Sequence, residues 1–134
     1  MQGLARLGIF RDFSTSELVD VVNNLHVVTF LEGERIIHAG QENASFYIIV
    51  EGEAGVYIDD VERDLLGRGS FFGEISALLG DPATADILTR TELLCLEVPA
   101  SALEGFLTAN PRLTFRMLQV EARRLQFADR FAHR

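Results

Sequence analysis

The residues whose types could do chemistry fall into two groups. The first is three histidines, His26, His38 and His133, and one cysteine, Cys95. The histidines are scattered with no HxH or HExxH spacing, so a metal centre is not expected. Cys95 sits between Leu94 and Leu96 in a strand-like pattern that reads as structural. An enzyme is therefore a poor reading of this chain. The second group lies in the stretch from Gly69 to Ala85. Its middle, Glu74–Leu79, has the composition of one or two helical turns, opened by Gly73 and closed by Gly80. A short helix set into a sheet protein, with free backbone N–H groups at its start, is a natural place to hold an anion.

The elements that must position this stretch follow from spacing. From His26 to about Val98, short segments rich in Val, Ile, Phe and Tyr alternate with glycine-bearing turns at Gly33, Gly40, Gly52, Gly67 and Gly69. Strands are predicted at Val27–Leu31, Arg35–His38, Phe46–Val50, Gly55–Ile58, Asp64–Leu66, Ile87–Thr89 and Leu93–Val98. So many short strands without long helices between them imply an antiparallel β-roll or jelly-roll barrel, mainly β with flanking α-helices. The helices are expected before and after: a short one led by Ser14-Thr15-Ser16-Glu17, a capping signature, and two after Pro99, the second opened by Asn110-Pro111. One domain over residues 1–134 results, with N-terminal helices in 1–25, the β-roll in 26–98 and C-terminal helices in 99–134.

Composition bounds the partners. The chain has 134 residues, 48% of them hydrophobic, enough for a core without disulfide or metal. Twenty acids against twelve bases give a net charge of −8, and every base is an arginine. Residues 111–134 hold six arginines and two acids, a local balance of +4, leaving −12 on the rest. A basic C-terminal helix on an acidic body is expected, and nucleic acid is not an expected partner of this chain alone. No apolar run approaches the roughly 20 residues of a membrane span. With no leader-like segment and a single cysteine, a cytoplasmic location is the default expectation.

The last helix carries apolar residues on two faces: Leu113, Met117, Val120, Phe127 and Phe131 along one, and Phe115, Leu118, Ala122, Leu125 and Ala132 along the other. A surface helix needs only one apolar stripe. Either the second face meets a partner, a second copy of the chain or another protein, or the helix is buried more deeply against its own barrel.

Phe46-Tyr47-Ile48-Ile49-Val50-Glu51-Gly52-Glu53 and Leu65-Leu66-Gly67-Arg68-Gly69-Ser70-Phe71-Phe72-Gly73-Glu74 closely resemble the cyclic nucleotide-binding domain family. The Glu32-Gly33-Glu34 and Gly40 turns and the Ala122-Arg123-Arg124-Leu125-Gln126 run resemble its catabolite-activator branch. The resemblance implies a β-roll with a phosphate-binding cassette from about Gly73 to Ala85, and a possible ligand in cAMP or cGMP, with no other cofactor. It assigns the ligand contacts to Phe72, Gly73, Glu74, Ile75 and Ser76 on one side and Ala83, Thr84 and Ala85 on the other. Glu74 takes the role of acceptor for the ribose 2′-hydroxyl, a suitable pairing because a carboxylate only accepts. The competing reading makes Glu74 a helix-terminus acid stabilised by the dipole.

Three departures from that family stand out. Its binding members carry Pro-Arg-Ala-Ala or Pro-Arg-Thr-Ala, the arginine pairing with the phosphate, whereas this chain has Pro82-Ala83-Thr84-Ala85. Thr84 keeps a hydroxyl, but losing one partner of a desolvated charged pair costs about 2–5 kcal/mol, a roughly 30-fold to several-thousand-fold drop in affinity. Weak cyclic nucleotide binding is therefore expected. Neither Arg68 nor Arg90 occupies the arginine position, and Asp86 would oppose a phosphate if it faced one. The positions that contact adenine in the activator branch correspond to Ala128 and Asp129, so the base preference does not carry over. Activator-type factors also continue into a helix-turn-helix, for which the sequence to Arg134 has no counterpart. The sequence supports a regulatory ligand-sensing domain, or alternatively a non-binding domain that serves as a dimerisation or protein-docking module.

Overall fold

A computed structural model describes residues 8–23 and 25–132, with side chains to residue 128. After a 3₁₀ turn at Gly8–Phe10, helix α1 spans Thr15–Asn23. Its start is a reciprocal capping box: the Ser14 hydroxyl accepts from the Glu17 N–H at 3.1 Å, and the Glu17 carboxylate accepts from the Ser14 N–H at 2.9 Å. Eight strands follow, β1 His26–Phe30, β2 Arg35–Ile37, β3 Ser45–Glu51, β4 Ala54–Ile58, β5 Val61–Leu66, β6 Phe71–Phe72, β7 Asp86–Thr89 and β8 Leu93–Pro99. Helix α2, Glu74–Leu79, interrupts them between β6 and β7, and α3 Ala100–Ala109 and α4 Pro111–Ala132 close the chain.

The strands form two four-stranded antiparallel sheets, ordered β1-β8-β3-β6 and β2-β7-β4-β5. This is the expected β-roll with flanking helices and a short helix set into it. The central strands β3 and β8 are apolar on both faces, because one face looks into the roll and the other meets helices. From them Ile49, Leu93 and Cys95 join the core between the sheets, whereas Phe46, Ile48, Leu96 and Val98 join a second core. That second core packs the sheet against Phe10 and Leu18 at the N-terminal end, Leu103 and Phe106 of α3, and Leu113 and Met117 of α4.

Two strands depart from expectation. β5 begins at Val61 instead of Asp64, since Asp59 and Asp60 take positive φ (53° and 65°) and turn the hairpin in two residues. Paired positive φ is the geometry of a type I′ turn, and aspartate tolerates it without glycine. β6 was not expected; it pairs with β3 through Tyr47–Phe72 and Ile48–Phe71.

Helix α4 departs more. Leu113 and Met117 are buried as expected, but Phe127 of the same predicted face is 57% exposed. Phe131 and Ala132 are side chains outside the described residues. The other face is open: Phe115, Leu118 and Leu125 are 61%, 64% and 72% exposed, and Ala122 is exposed too. Deeper burial of this second face against the chain's own roll is thus excluded, because α4 rests on the core through Leu113, Met117 and Val120 of the other face. Among the described residues no helix is long and apolar enough to cross a membrane.

Candidate functional site

Between α2, the second sheet and α4 lies a cavity of about 210 Å³. Its apolar walls are Ile37 of β2, Val56 of β4, Leu66 of β5, Phe71 and Phe72 of β6 and Ile87 of β7. The structure brings all eight sequence-predicted residues, Phe72, Gly73, Glu74, Ile75, Ser76, Ala83, Thr84 and Ala85, to its lining.

The near wall depends on backbone that only glycine adopts easily. Gly73, at φ 84°, starts α2 in the left-handed region, and an added Cβ would come within 2.7 Å of the Ser45 carbonyl. The Asn43 amide holds this corner, donating to the carbonyls of Ser45 (2.6 Å) and Gly73 (3.2 Å). Gly80, at φ 73°, ends the helix and donates to the Ser76 carbonyl at 2.9 Å. The Ser76 hydroxyl donates onward to the Asp81 carbonyl at 2.6 Å. Ala83 is clamped by two backbone bonds, its N–H to Gln41 (2.9 Å) and its carbonyl from Gly40 (2.8 Å). The loop carrying Thr84 and Ala85 is thereby tied to both α2 and the β2–β3 connection.

The charged groups were only half foreseen. Glu74 is buried, and its Oε2 accepts from Arg124 Nη1 at 2.6 Å. The same guanidinium donates to the Phe71 carbonyl at 2.8 Å and to Glu121 Oε1 at 3.0 Å, and lies 4.4 Å over the Phe71 ring. Glu74 is consequently more than a dipole-stabilised helix acid: it is one end of a bridge from α2 to α4. Arg124 and Asp64, both lining residues, were missed, as was Asn43. The only sequence signal for Arg124 is that two adjacent arginines on a helix must point about 100° apart. Glu121 shares the cluster, and burial, reinforced by the hydrogen bond that its protonated form donates to Glu74 and by the Glu74 charge, pushes its carboxyl up to about 7.

The other expected groups lie elsewhere. Asp86 is turned to the Ala39 N–H (2.7 Å) and Arg35 (3.5 Å), so it does not face the cavity. Arg90 pairs with Glu62 at 2.9 Å, and Arg68 donates to the Val50 carbonyl at 3.2 Å. Ala128 is exposed and lines no part of the cavity. The side chains of Asp129 and His133 fall outside the described residues. Cys95 is fully buried, and burial pushes its thiol up to about 12. Among the described residues no group of histidine, cysteine and carboxylate side chains is placed to hold a metal.

A family model described as cyclic nucleotide-binding domain matches residues 27–110. The chain is 30% identical over 128 residues to a protein of Mycobacterium tuberculosis described as a CRP-like cAMP-activated global transcriptional regulator. That match covers 92% of this chain and 57% of the relative, so the chain spans little more than half of its length. Among solved structures, the Thermus thermophilus catabolite activator protein aligns with a TM-score of 0.78 at 21% identity, covering 90% of this chain and 59% of that one. A structure described as Sp-2Cl-cAMPS bound to PKAR CBD2 aligns with a TM-score of 0.77 at 22% identity, covering 95% and 87%. At these identities the structural likenesses speak for the fold.

Proposed function

Because the chain belongs to the cyclic nucleotide-binding domain family, we propose that its cavity takes a small ribose-bearing ligand and that α4 reports its presence. In this reading the domain is regulatory and not catalytic. Glu74 accepts a ribose hydroxyl, Phe72 and the aliphatic wall cover the base, and Thr84 and Ala85 meet the opposite end of the ligand. The observation that carries the proposal is the Arg124–Glu74 bridge. A ligand hydroxyl that reaches Glu74 competes with or reinforces the contact that ties α4 to the cavity, so occupancy and helix position are linked. cAMP and cGMP are candidate ligands, bound weakly because Ala83 leaves no cation at the phosphate end.

The experiment is a thermal-shift and calorimetric titration with cAMP and cGMP at millimolar excess, since ligand at 100 times its dissociation constant stabilises by about 2.7 kcal/mol. A saturable shift is expected for a ligand, and Glu74→Gln should weaken it.

A second reading is favoured by the open face of α4 with Phe115, Leu118 and Leu125. Here the domain is a dimerisation module, the apolar face meeting the same face of a second copy. The two readings are compatible, since a ligand that repositions α4 alters that contact.

A further inference from the structure

Among the described residues, the charged lining of the cavity consists of Asp64, Glu74 and Arg124. Arg124 is the one cation among them, and its guanidinium is already held by Glu74, Glu121 and the Phe71 carbonyl. Two carboxylates against one engaged guanidinium leave the lining with a formal charge of −1. Arg35, Arg68 and Arg90 do not compensate. Arg35 and Arg90 are paired with Asp86 and Glu62, and neither they nor Arg68 line the cavity.

At the far end, Ala83 has spent both backbone groups on Gln41 and Gly40 and packs on the core between the sheets. A ligand bearing a net negative charge would lose its hydration there without gaining a counter-charge, while facing two carboxylates. The acceptors in the lining include charged carboxylates, whereas its donors beside the engaged Arg124 are neutral, the Thr84 hydroxyl and the first backbone N–H groups of α2. Glu74 and Asp64 only accept, and Asn43 Oδ1 is a buried acceptor with no partner. The Asn43 amide orientation is fixed, because its nitrogen donates to the Ser45 and Gly73 carbonyls. The remaining walls, Ile37, Val56, Leu66, Phe72 and Ile87, are apolar.

Building on the ligand-sensing reading above, we propose that the cavity is selective for an uncharged, hydroxyl-rich ligand with a planar apolar portion, a nucleoside, over the corresponding cyclic nucleotide. The sugar hydroxyls donate to the acceptors at the α2 end, and the base lies against the aliphatic wall. The absence of a charged group lets the ligand enter without an uncompensated desolvation.

The test is calorimetric titration of the full chain with adenosine and guanosine beside cAMP and cGMP, on the natural sequence and on Ala83→Arg. At least one nucleoside should bind the natural sequence tenfold or more tighter than its cyclic nucleotide. Ala83→Arg should reverse that order, tightening the cyclic nucleotide by about 30-fold or more, the effect of completing a desolvated charged pair. If A83R does not fold, the comparison on the natural sequence decides alone. A cyclic nucleotide that binds as tightly as its nucleoside overturns the selectivity but leaves the cavity a ligand site. No saturable heat from either class overturns both the selectivity and the sensing function.

Discussion

Arg124 Nη1 stands 2.6 Å from Glu74 Oε2, joining the C-terminal helix to the cassette helix across 50 residues of sequence. Glu74 is the more buried partner, its side chain 10% exposed against 33% for Arg124. Removing the cation alone strands a buried carboxylate, a change that costs about 3–5 kcal/mol for fully buried pairs and less here, where solvent reaches the guanidinium. Arg124→Met should therefore destabilise more than the double change Glu74→Met with Arg124→Met, which leaves no charge behind. Urea unfolding of the three proteins measures this. Equal midpoints for R124M and the natural chain would show that the bridge contributes nothing.

The acid cluster gives a pH signature. Glu121 has a carboxyl raised from its ordinary value near 4.5 to about 7, chiefly by burial and then by Glu74. A raised carboxyl holds its proton longer in the folded state, so its contribution to stability is full below about 4.5 and is lost as pH rises through about 7. Glu121→Gln removes that titration. The stability of the natural chain relative to E121Q should fall steadily over this interval, as read by chemical denaturation at a series of pH values. A difference independent of pH would contradict the assignment.

Much of this arrangement is legible in the sequence, and the part that is not has identifiable causes. The glycine-punctuated strands give the roll, and Gly73 and Gly80 bracket α2 because both positions demand positive φ. Local signals suffice there. Arg124 is invisible to them: it and Arg123 are neighbours of one type, and only the rotation of α4 over the core, fixed by Leu113 and Met117, decides which one enters the cavity. Asn43 and Asp64 are missed for a similar reason, since each reaches the cavity from a segment whose pattern says only turn or exposed strand. The length of β5 is missed because aspartates, and not glycine, supply its turn.

Gly73 separates conformational strain from steric conflict. Gly33 has a similar φ of 78° with nothing within 4 Å of an added Cβ, whereas at Gly73 that Cβ would meet the Ser45 carbonyl at 2.7 Å and Asn43 Nδ2 at 3.0 Å. Gly33→Ala should cost about 1–2 kcal/mol from the left-handed backbone alone. Gly73→Ala adds displacement of the Asn43 corner, so it should cost more and weaken ligand binding too. Thermal melts of the two variants make the comparison, and equal losses would mean that the corner yields freely.

Burial also predicts an inert thiol. Cys95 lies in the core between the sheets, and its thiol is pushed up to about 12, so almost no thiolate exists at neutral pH. Labelling by a thiol reagent should be very slow in the native protein and rapid in denaturant. Fast labelling under native conditions would mean that β8 opens locally.

The open face of α4 makes the last prediction. Phe115, Leu118 and Leu125 recur at spacings of three and seven, which places them on one side of the helix, and each is more than 60% exposed. An apolar stripe of this kind on a long helix is the geometry of a self-complementary two-fold contact, in which the same residues face each other across the axis. Sedimentation should give a dimer for the natural chain, and Leu118→Glu with Leu125→Glu should give a monomer of unchanged thermal stability once dissociation is accounted for. Neither side chain supports the core, so loss of fold is not the expected result. A natural chain that sediments as a monomer at micromolar concentration would remove the dimer and leave the stripe to a different protein.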